Sequence, residues 1–208
     1  MIQERKPATV TLIMTGASGA VYGLRLLEEL VKAGSKIYLL LSRPAHIVIK
    51  METDLQLPVR ASEVELFFTK KYQAKAGQIS VFEKEQWLAP IASGSGVADA
   101  TVICPCTTGT LSSIAMGSSR NLLERAADVA LKERKKLILV IRETPFSEIH
   151  LENMLKLTRM GAIMMPANPG FYFNPESLND IVDFMVARVL DHLKIEHTLQ
   201  ARWGGAVS

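Results

Sequence analysis

The chain has 208 residues, 48% of them hydrophobic and 22% charged, with a formal net charge of +3. That length points to a single domain, residues 1–208, with a core able to cover both faces of a sheet. The small charge and the lack of aromatics interleaved with basic residues exclude a nucleic-acid surface. The longest apolar runs, such as Leu137–Ile141, fall far short of the roughly 20 residues that a membrane span needs.

The segment from Met1 to Pro7 has no apolar signal core, so export is not expected. The only two cysteines, Cys104 and Cys106, are too close in sequence for an ordinary disulfide staple, which points to the reducing cytoplasm.

Val10 to Met14 is a run of strand formers that stops at Thr15. Gly16-Ala17-Ser18-Gly19 makes a tight turn, and Val21 to Val31 then reads as an amphipathic helix with Leu24, Leu27, Leu30 and Val31 on one face. A strand, a glycine turn and a helix N-terminus form an anion site, because free N–H groups and the positive dipole end face the same point. The same pattern also fits a plain turn with packing glycines.

Lys36–Ser42 reads as a second buried strand, and Pro44 opens a helix running to about Met51. A dinucleotide fold usually ends its second strand with an acidic residue for the ribose hydroxyls. Here Ser42 and Arg43 stand there, which argues against NAD. Tyr72 and Lys75 are three apart rather than four, so the Tyr/Lys pair of a short-chain dehydrogenase is also missing. Glu63–Lys70 reads as a short helix and Gln78–Phe82 as a short strand. Trp87 then leads a loop of small residues to Gly96, either a simple connection with a packing anchor or a lid carrying an aromatic face.

Ala100–Pro105 is the next strand, and Cys106 to Leu111 opens a helix with the hydroxyl-rich cluster Thr107-Thr108-Gly109-Thr110. In an open α/β sheet ligands bind at this edge, outside the strands' carboxyl ends. No metal site is expected: the two cysteines point to opposite faces, and the four histidines show no ligand spacing.

Asn121–Glu133 reads as an amphipathic helix and Leu137–Ile141 as a strand ending in Arg142-Glu143. At a ligand edge the arginine could hold a phosphate and the glutamate could move a proton; a structural ion pair is the alternative. Ser147 caps a helix to about Thr158, Ala162–Met165 is a short strand, and a rigid loop carries Tyr172. Ser177 begins a last helix to about Leu193, in which Arg188 lies among Val186, Val189 and Leu190 and needs a partner, for which a phosphate would serve. Arg202-Trp203-Gly204 reads as a docked aromatic end.

Several of these segments carry a resemblance. Thr15-Gly16-Ala17-Ser18-Gly19, Cys104-Pro105-Cys106-Thr107-Thr108-Gly109-Thr110, Asn121 to Val129, Arg142-Glu143-Thr144-Pro145, His150 to Met154 and Pro169-Gly170-Phe171-Tyr172 occur in that order. Together they resemble the UbiX/Pad family of flavin prenyltransferases over nearly the whole chain. One position departs: Arg120 precedes Asn121 where family members often carry an Asn-Asn pair.

The resemblance implies a three-layer α/β fold, Rossmann-like or flavodoxin-like, with a mainly parallel sheet. It implies transfer of a dimethylallyl group from dimethylallyl monophosphate to reduced FMN, at N5 and then C6, without metal. The prenylated FMN would serve a UbiD-type decarboxylase. By position, Gly16, Ala17, Ser18, Ser42, Thr107, Thr108, Gly109, Thr110 and Arg142 match FMN contacts. Tyr172 and Arg188 match residues of the substrate phosphate, joined by Lys132 and Arg125, while Trp87 and Trp203 match aromatic positions near the site. Glu143 matches the acid/base residue, with Ser18 as its partner in proton transfer. Family sites form where subunits meet in a homo-oligomer, a dodecamer by resemblance, so some of these residues would serve a neighbour.

The chemistry agrees with that assignment. Breaking an allylic C–O bond leaves a delocalised cation and a phosphate, and the sequence has no aspartate-rich run for magnesium. Lys132, Arg142 and Arg188 would supply the positive charge instead. Two alternatives stand beside this reading: a flavin-dependent decarboxylase using His150 as base, and a non-catalytic FMN carrier that would tolerate loss of Glu143.

Overall fold

Six short segments rich in apolar residues become strands in a computed structural model that describes residues 9–200. They are β1 (Thr9–Met14), β2 (Lys36–Leu41), β3 (Ile79–Val81), β4 (Ala100–Cys106), β5 (Lys136–Ile141) and β6 (Ile163–Pro166). All pair in parallel, in the order β3-β2-β1-β4-β5-β6. This is the doubly wound Rossmann order, whose direction reverses between β1 and β4.

The helices are α1 (Ala20–Lys32), α2 (Arg43–Glu52), α3 (Ala61–Lys71), α4 (Thr108–Ala115), α5 (Leu122–Lys132), α6 (Glu148–Arg159) and α7 (Leu178–Leu193). Strand residues alternate between two cores, because successive side chains leave opposite faces of a sheet. Leu12, Met14, Leu39, Val102 and Val140 pack under α1, α2, α3 and α7. Ile13, Leu40, Ile103, Leu139 and Ile141 pack under α4, α5 and α6. Cys104 falls in the first core and Cys106 in the second, both as free thiols; residues two apart share a face in a regular strand, and the register shift between Ile103 and Cys106 is what turns them to opposite faces. Burial pushes both thiols well above the usual thiol range.

Pro105 sits inside β4, a central strand, where its missing N–H would break the ladder. The β4–β5 register shifts between Ile103 and Cys106, which absorbs the gap. Among the described residues no helix is long and apolar enough to cross a membrane. Trp203, with the tail around it, lies outside the described residues.

Candidate active site

One edge of the sheet gathers most of the residues singled out above. The Thr15 N–H donates to the Pro105 carbonyl at 3.2 Å, Ser42 N–H to Met14 at 3.0 Å, Arg142 N–H to Cys106 at 3.4 Å and Ala167 N–H to Ile141 at 2.8 Å. These bonds carry the strand register one residue past the strand ends. They hold Thr15, Ser42, Arg142 and Ala167 side by side on the carboxyl edge, at the crevice where the order reverses.

Thr15 closes that crevice. Its buried hydroxyl donates to the Pro105 carbonyl at 2.8 Å and accepts from the Thr107 N–H at 2.9 Å. Thr107 in turn caps α4, its Oγ1 accepting from the Thr110 N–H at 3.1 Å and donating to the Thr110 hydroxyl at 2.9 Å. Ser42 caps α2 in the same manner, through the Ala45 N–H at 3.1 Å. The edge therefore presents two capped helix starts flanking an exposed Ser18 and an exposed Gly109. A side chain on Gly109 would meet nothing within 4 Å, so the surface there is open to a ligand.

Glu143 and Arg142 are not paired with each other as an ion pair. The Thr108 hydroxyl donates to Glu143 Oε2 at 3.3 Å, and the Thr144 N–H donates to Oε1 at 3.2 Å. Arg142 Nε is buried without a hydrogen-bond partner among the described residues. A buried guanidinium N–H costs stability unless something accepts from it, so its position suits an anionic or carbonyl-bearing ligand. The open face at Gly109, the hydroxyls of Thr107, Thr108 and Thr110, and this unmet donor together fit a flavin mononucleotide.

The turn at the start of α1 corrects one expectation. Gly19, at φ 101°, takes a left-handed conformation that favours glycine. The N–H groups it orients are not left for a ligand. Both Glu52 carboxylate oxygens accept from the Gly19 N–H, at 2.9 and 3.1 Å, and Oε2 also accepts from Ala20 at 2.8 Å. α1 has no acidic residue in its first turn, so a carboxylate from the end of α2 fills that role. Sequence reasoning missed Glu52, because nothing in its own neighbourhood connects it with Gly19, 33 residues away. The missing first-turn acid was the one available signal.

Of the expected phosphate cations, Arg142 lies on this edge, but Lys132 and Arg188 do not join it within the chain. Lys132 ends α5, just before β5 begins at Lys136, and pairs with Glu133. Arg142 lies past the far end of the same strand, about 20 Å away along six residues. No lysine side chain bridges that span. Arg188 is the eleventh residue of α7, roughly 15 Å along it. The end of α7 lies by the start of β5, where Lys136 Nζ reaches the His192 carbonyl. Arg188 is not buried among Val186, Val189 and Leu190 as its sequence neighbours suggested. It is half-exposed and pairs with Asp191 at 2.7 Å. Arg125 is likewise engaged, donating to the Ala92 carbonyl at 3.1 Å and pairing with Asp128 at 2.9 Å.

Tyr172 follows β6 on the loop at the ligand edge, its ring edge-on to Phe173 and Phe184 with centroids 6.3 and 5.9 Å away. Trp87 is about half-exposed after β3. His150 sits in a capping box at the start of α6: its Nδ1 accepts from the Ser147 N–H at 3.2 Å, and its own N–H donates to Ser147 Oγ at 3.3 Å. A ring nitrogen tied to the backbone in this way is poorly placed to act as a base. Among the described residues no cluster of three or more His, Cys, Asp or Glu could hold a metal ion.

Comparison with known proteins agrees with this geometry. A family model described as Flavoprotein matches residues 2–190. A flavin prenyltransferase UbiX of Pseudomonas aeruginosa is 55% identical over 198 residues, covering 95% of each chain. The crystal structure of AnUbiX (PadA1) in complex with FMN and dimethylallyl pyrophosphate superposes with a TM-score of 0.84 at 38% identity, covering 97% of this chain and 100% of that one. A dodecameric FMN-dependent Ubix-like decarboxylase from Escherichia coli O157:H7 gives a TM-score of 0.81 at 41% identity, covering 95% and 100%. With that identity sustained over almost its full length, and with the flavin edge built as described, the chain belongs to the UbiX flavin prenyltransferase family of flavoproteins.

Proposed function

We propose that the chain transfers a dimethylallyl group from dimethylallyl monophosphate to reduced FMN, making prenylated FMN for a UbiD-type decarboxylase. The observation that carries this reading is the buried, unmet Nε of Arg142 beside the Thr108–Glu143 bond, at the crevice of a chain 55% identical to a flavin prenyltransferase. Reduced FMN, when bound, supplies the nucleophile, first N5 and then C6.

The chain's own residues do the rest. Gly16, Ala17 and Ser18 with Ser42, Thr107, Thr108, Gly109, Thr110 and Arg142 hold the flavin nucleotide, and their positions at one edge support this grouping. Arg142 directs its unmet donor to it. Glu143, already accepting a hydrogen bond from the Thr108 hydroxyl, would take up the proton lost on ring closure. Ser18, exposed at the tip of the first turn, relays it.

Tyr172, Arg188, Lys132 and Arg125 neutralise the donor phosphate as it leaves, with Trp87 and Trp203 giving aromatic faces to the allyl cation. Because Lys132 and Arg188 lie toward the opposite edge of their own sheet, they serve the site of a neighbouring copy in a homo-oligomer. A monophosphate suits this set, since the sequence has no aspartate-rich run to hold the magnesium that diphosphate donors usually need. Two free, buried thiols suit the reducing cytoplasm.

The test is release of inorganic phosphate from dimethylallyl monophosphate under anaerobic conditions, with EDTA present. Release that requires reduced FMN is the expected result. Release with oxidised FMN or without flavin would mark the protein as a phosphatase and sink the reading.

A further inference from the structure

Arg188 does not stand on the surface of α7 with a free side chain. Asp191, one turn on, accepts from its Nη1 at 2.7 Å through Oδ2. The other oxygen of Asp191 faces His197 Nε2 at 3.2 Å. His197 comes from the segment after α7, which turns back at Lys194, in a left-handed conformation with φ 59°. Its Ile195 N–H donates to the Leu190 carbonyl at 3.0 Å. The His197 side chain is only 10% exposed, and its Nδ1 is buried without a partner among the described residues. A ring proton on Nε2 satisfies this arrangement: Nε2–H donates to Asp191, and Nδ1 keeps only a bare lone pair.

We propose that Asp191 and His197 are positioning residues for Arg188, forming an imidazole–carboxylate–guanidinium relay, anchored on the largely buried His197 ring, that fixes the arginine for the prenyl donor's phosphate. The proposal rests on the reading of Arg188 as a donor-phosphate residue. An isolated i,i+3 pair at a surface contributes little, because ordering two long side chains offsets the attraction. Here His197 has already ordered Asp191, so the arginine is the only group left to fix. The guanidinium gives one nitrogen to Asp191 and keeps further donors on its planar fork for an anion. A cation held in place before the anion arrives loses less freedom on binding, which is what raises affinity.

The experiment is steady-state kinetics of the whole enzyme with reduced FMN, varying dimethylallyl monophosphate, for Arg188→Ala, Asp191→Asn, His197→Ala, His197→Gln and the Arg188→Ala/Asp191→Asn double variant. Asp191→Asn should raise the donor KM about tenfold, with FMN affinity unchanged. His197→Ala should raise it too, and His197→Gln, which keeps an N–H donor, should restore most of the loss. In the Arg188→Ala background Asp191→Asn should have no further effect, which a general structural role would not produce. A donor KM that stays level or falls in Asp191→Asn, while Arg188→Ala raises it, overturns the positioning role alone. An unchanged KM in Arg188→Ala overturns the underlying reading and the proposal with it.

Discussion

Glu52 closes the N-terminal end of α1 through Gly19, whose N–H lies 2.9 and 3.1 Å from its two carboxylate oxygens. This contact joins the first βα turn to the far end of α2, so the turn carrying Ser18 is held from two sides. Glu52→Gln keeps one acceptor but removes the charge facing the helix dipole. It should lower stability by about 0.5–2 kcal/mol, read as a shift in the urea midpoint with an unchanged slope. No shift would mean that the carboxylate is a bystander.

Glu143 is held by the Thr108 hydroxyl and the Thr144 N–H, and the proposed function gives it the proton transfer. Glu143→Gln preserves the acceptor facing Thr108 while removing the base, so FMN binding should persist and product formation should fall about 10²–10⁴-fold. Lys132→Ala should also be inactive, for loss of charge on the donor phosphate. Because the two residues lie at opposite ends of β5, the proposed function assigns them to different sites of an assembly. Mixed assemblies of the two variants should therefore recover activity that neither shows alone. Failure to recover any would place both residues in one chain's site.

Arg142→Ala separates a ligand-binding donor from a structural one. Its Nε has no partner among the described residues, so loss of the side chain should not reduce the thermal stability of the FMN-free protein. FMN affinity should fall about 10–100-fold, the usual worth of a hydrogen bond from a charged group. Unchanged FMN affinity would remove Arg142 from the flavin edge.

Arg120, the position that departs from the family's Asn-Asn pair, ties the end of α4 to the start of α5. Its backbone N–H donates to Glu124 Oε2 at 2.8 Å, and its Nη2 donates to Ser113 Oγ at 2.7 Å and Glu124 Oε1 at 3.3 Å. Burial pushes the Glu124 carboxyl up, but the bonds from Arg120, with Ser113, bring it below its ordinary value of 4.5. A carboxyl lowered in the native state contributes its full stability above the unfolded value and loses it as pH falls through the native one. Arg120→Ala should thus lower stability at pH 7 and flatten the loss between pH 4.5 and more acid conditions. An unchanged acid-unfolding profile would show that Arg120 holds nothing.

The sheet was legible because each strand is a short apolar run between turn signals, and the residues just past those runs had to meet at one edge. The edge positions of Thr107, Arg142 and Ser42 follow on that ground, whereas their assignment to FMN comes from the resemblance. Glu52 was not, since a helix cap supplied from another helix leaves no local pattern. Arg188 was misplaced for a different reason. Val186, Val189 and Leu190 are its neighbours along the chain, yet on a helix they face inward while Arg188 shares the outer face with Asp191. Adjacency in sequence says little about burial at 100° per residue. The sharing of sites between copies was implied by resemblance only; what gives it a physical basis is the length of β5 between Lys132 and Arg142.

Anaerobic incubation with reduced FMN and dimethylallyl monophosphate, followed by mass spectrometry of the released flavin, tests the central claim most directly. A flavin heavier by one five-carbon prenyl unit, formed without added metal and lost in Glu143→Gln, is the predicted result. Unmodified FMN recovered from folded, flavin-bound protein would contradict it.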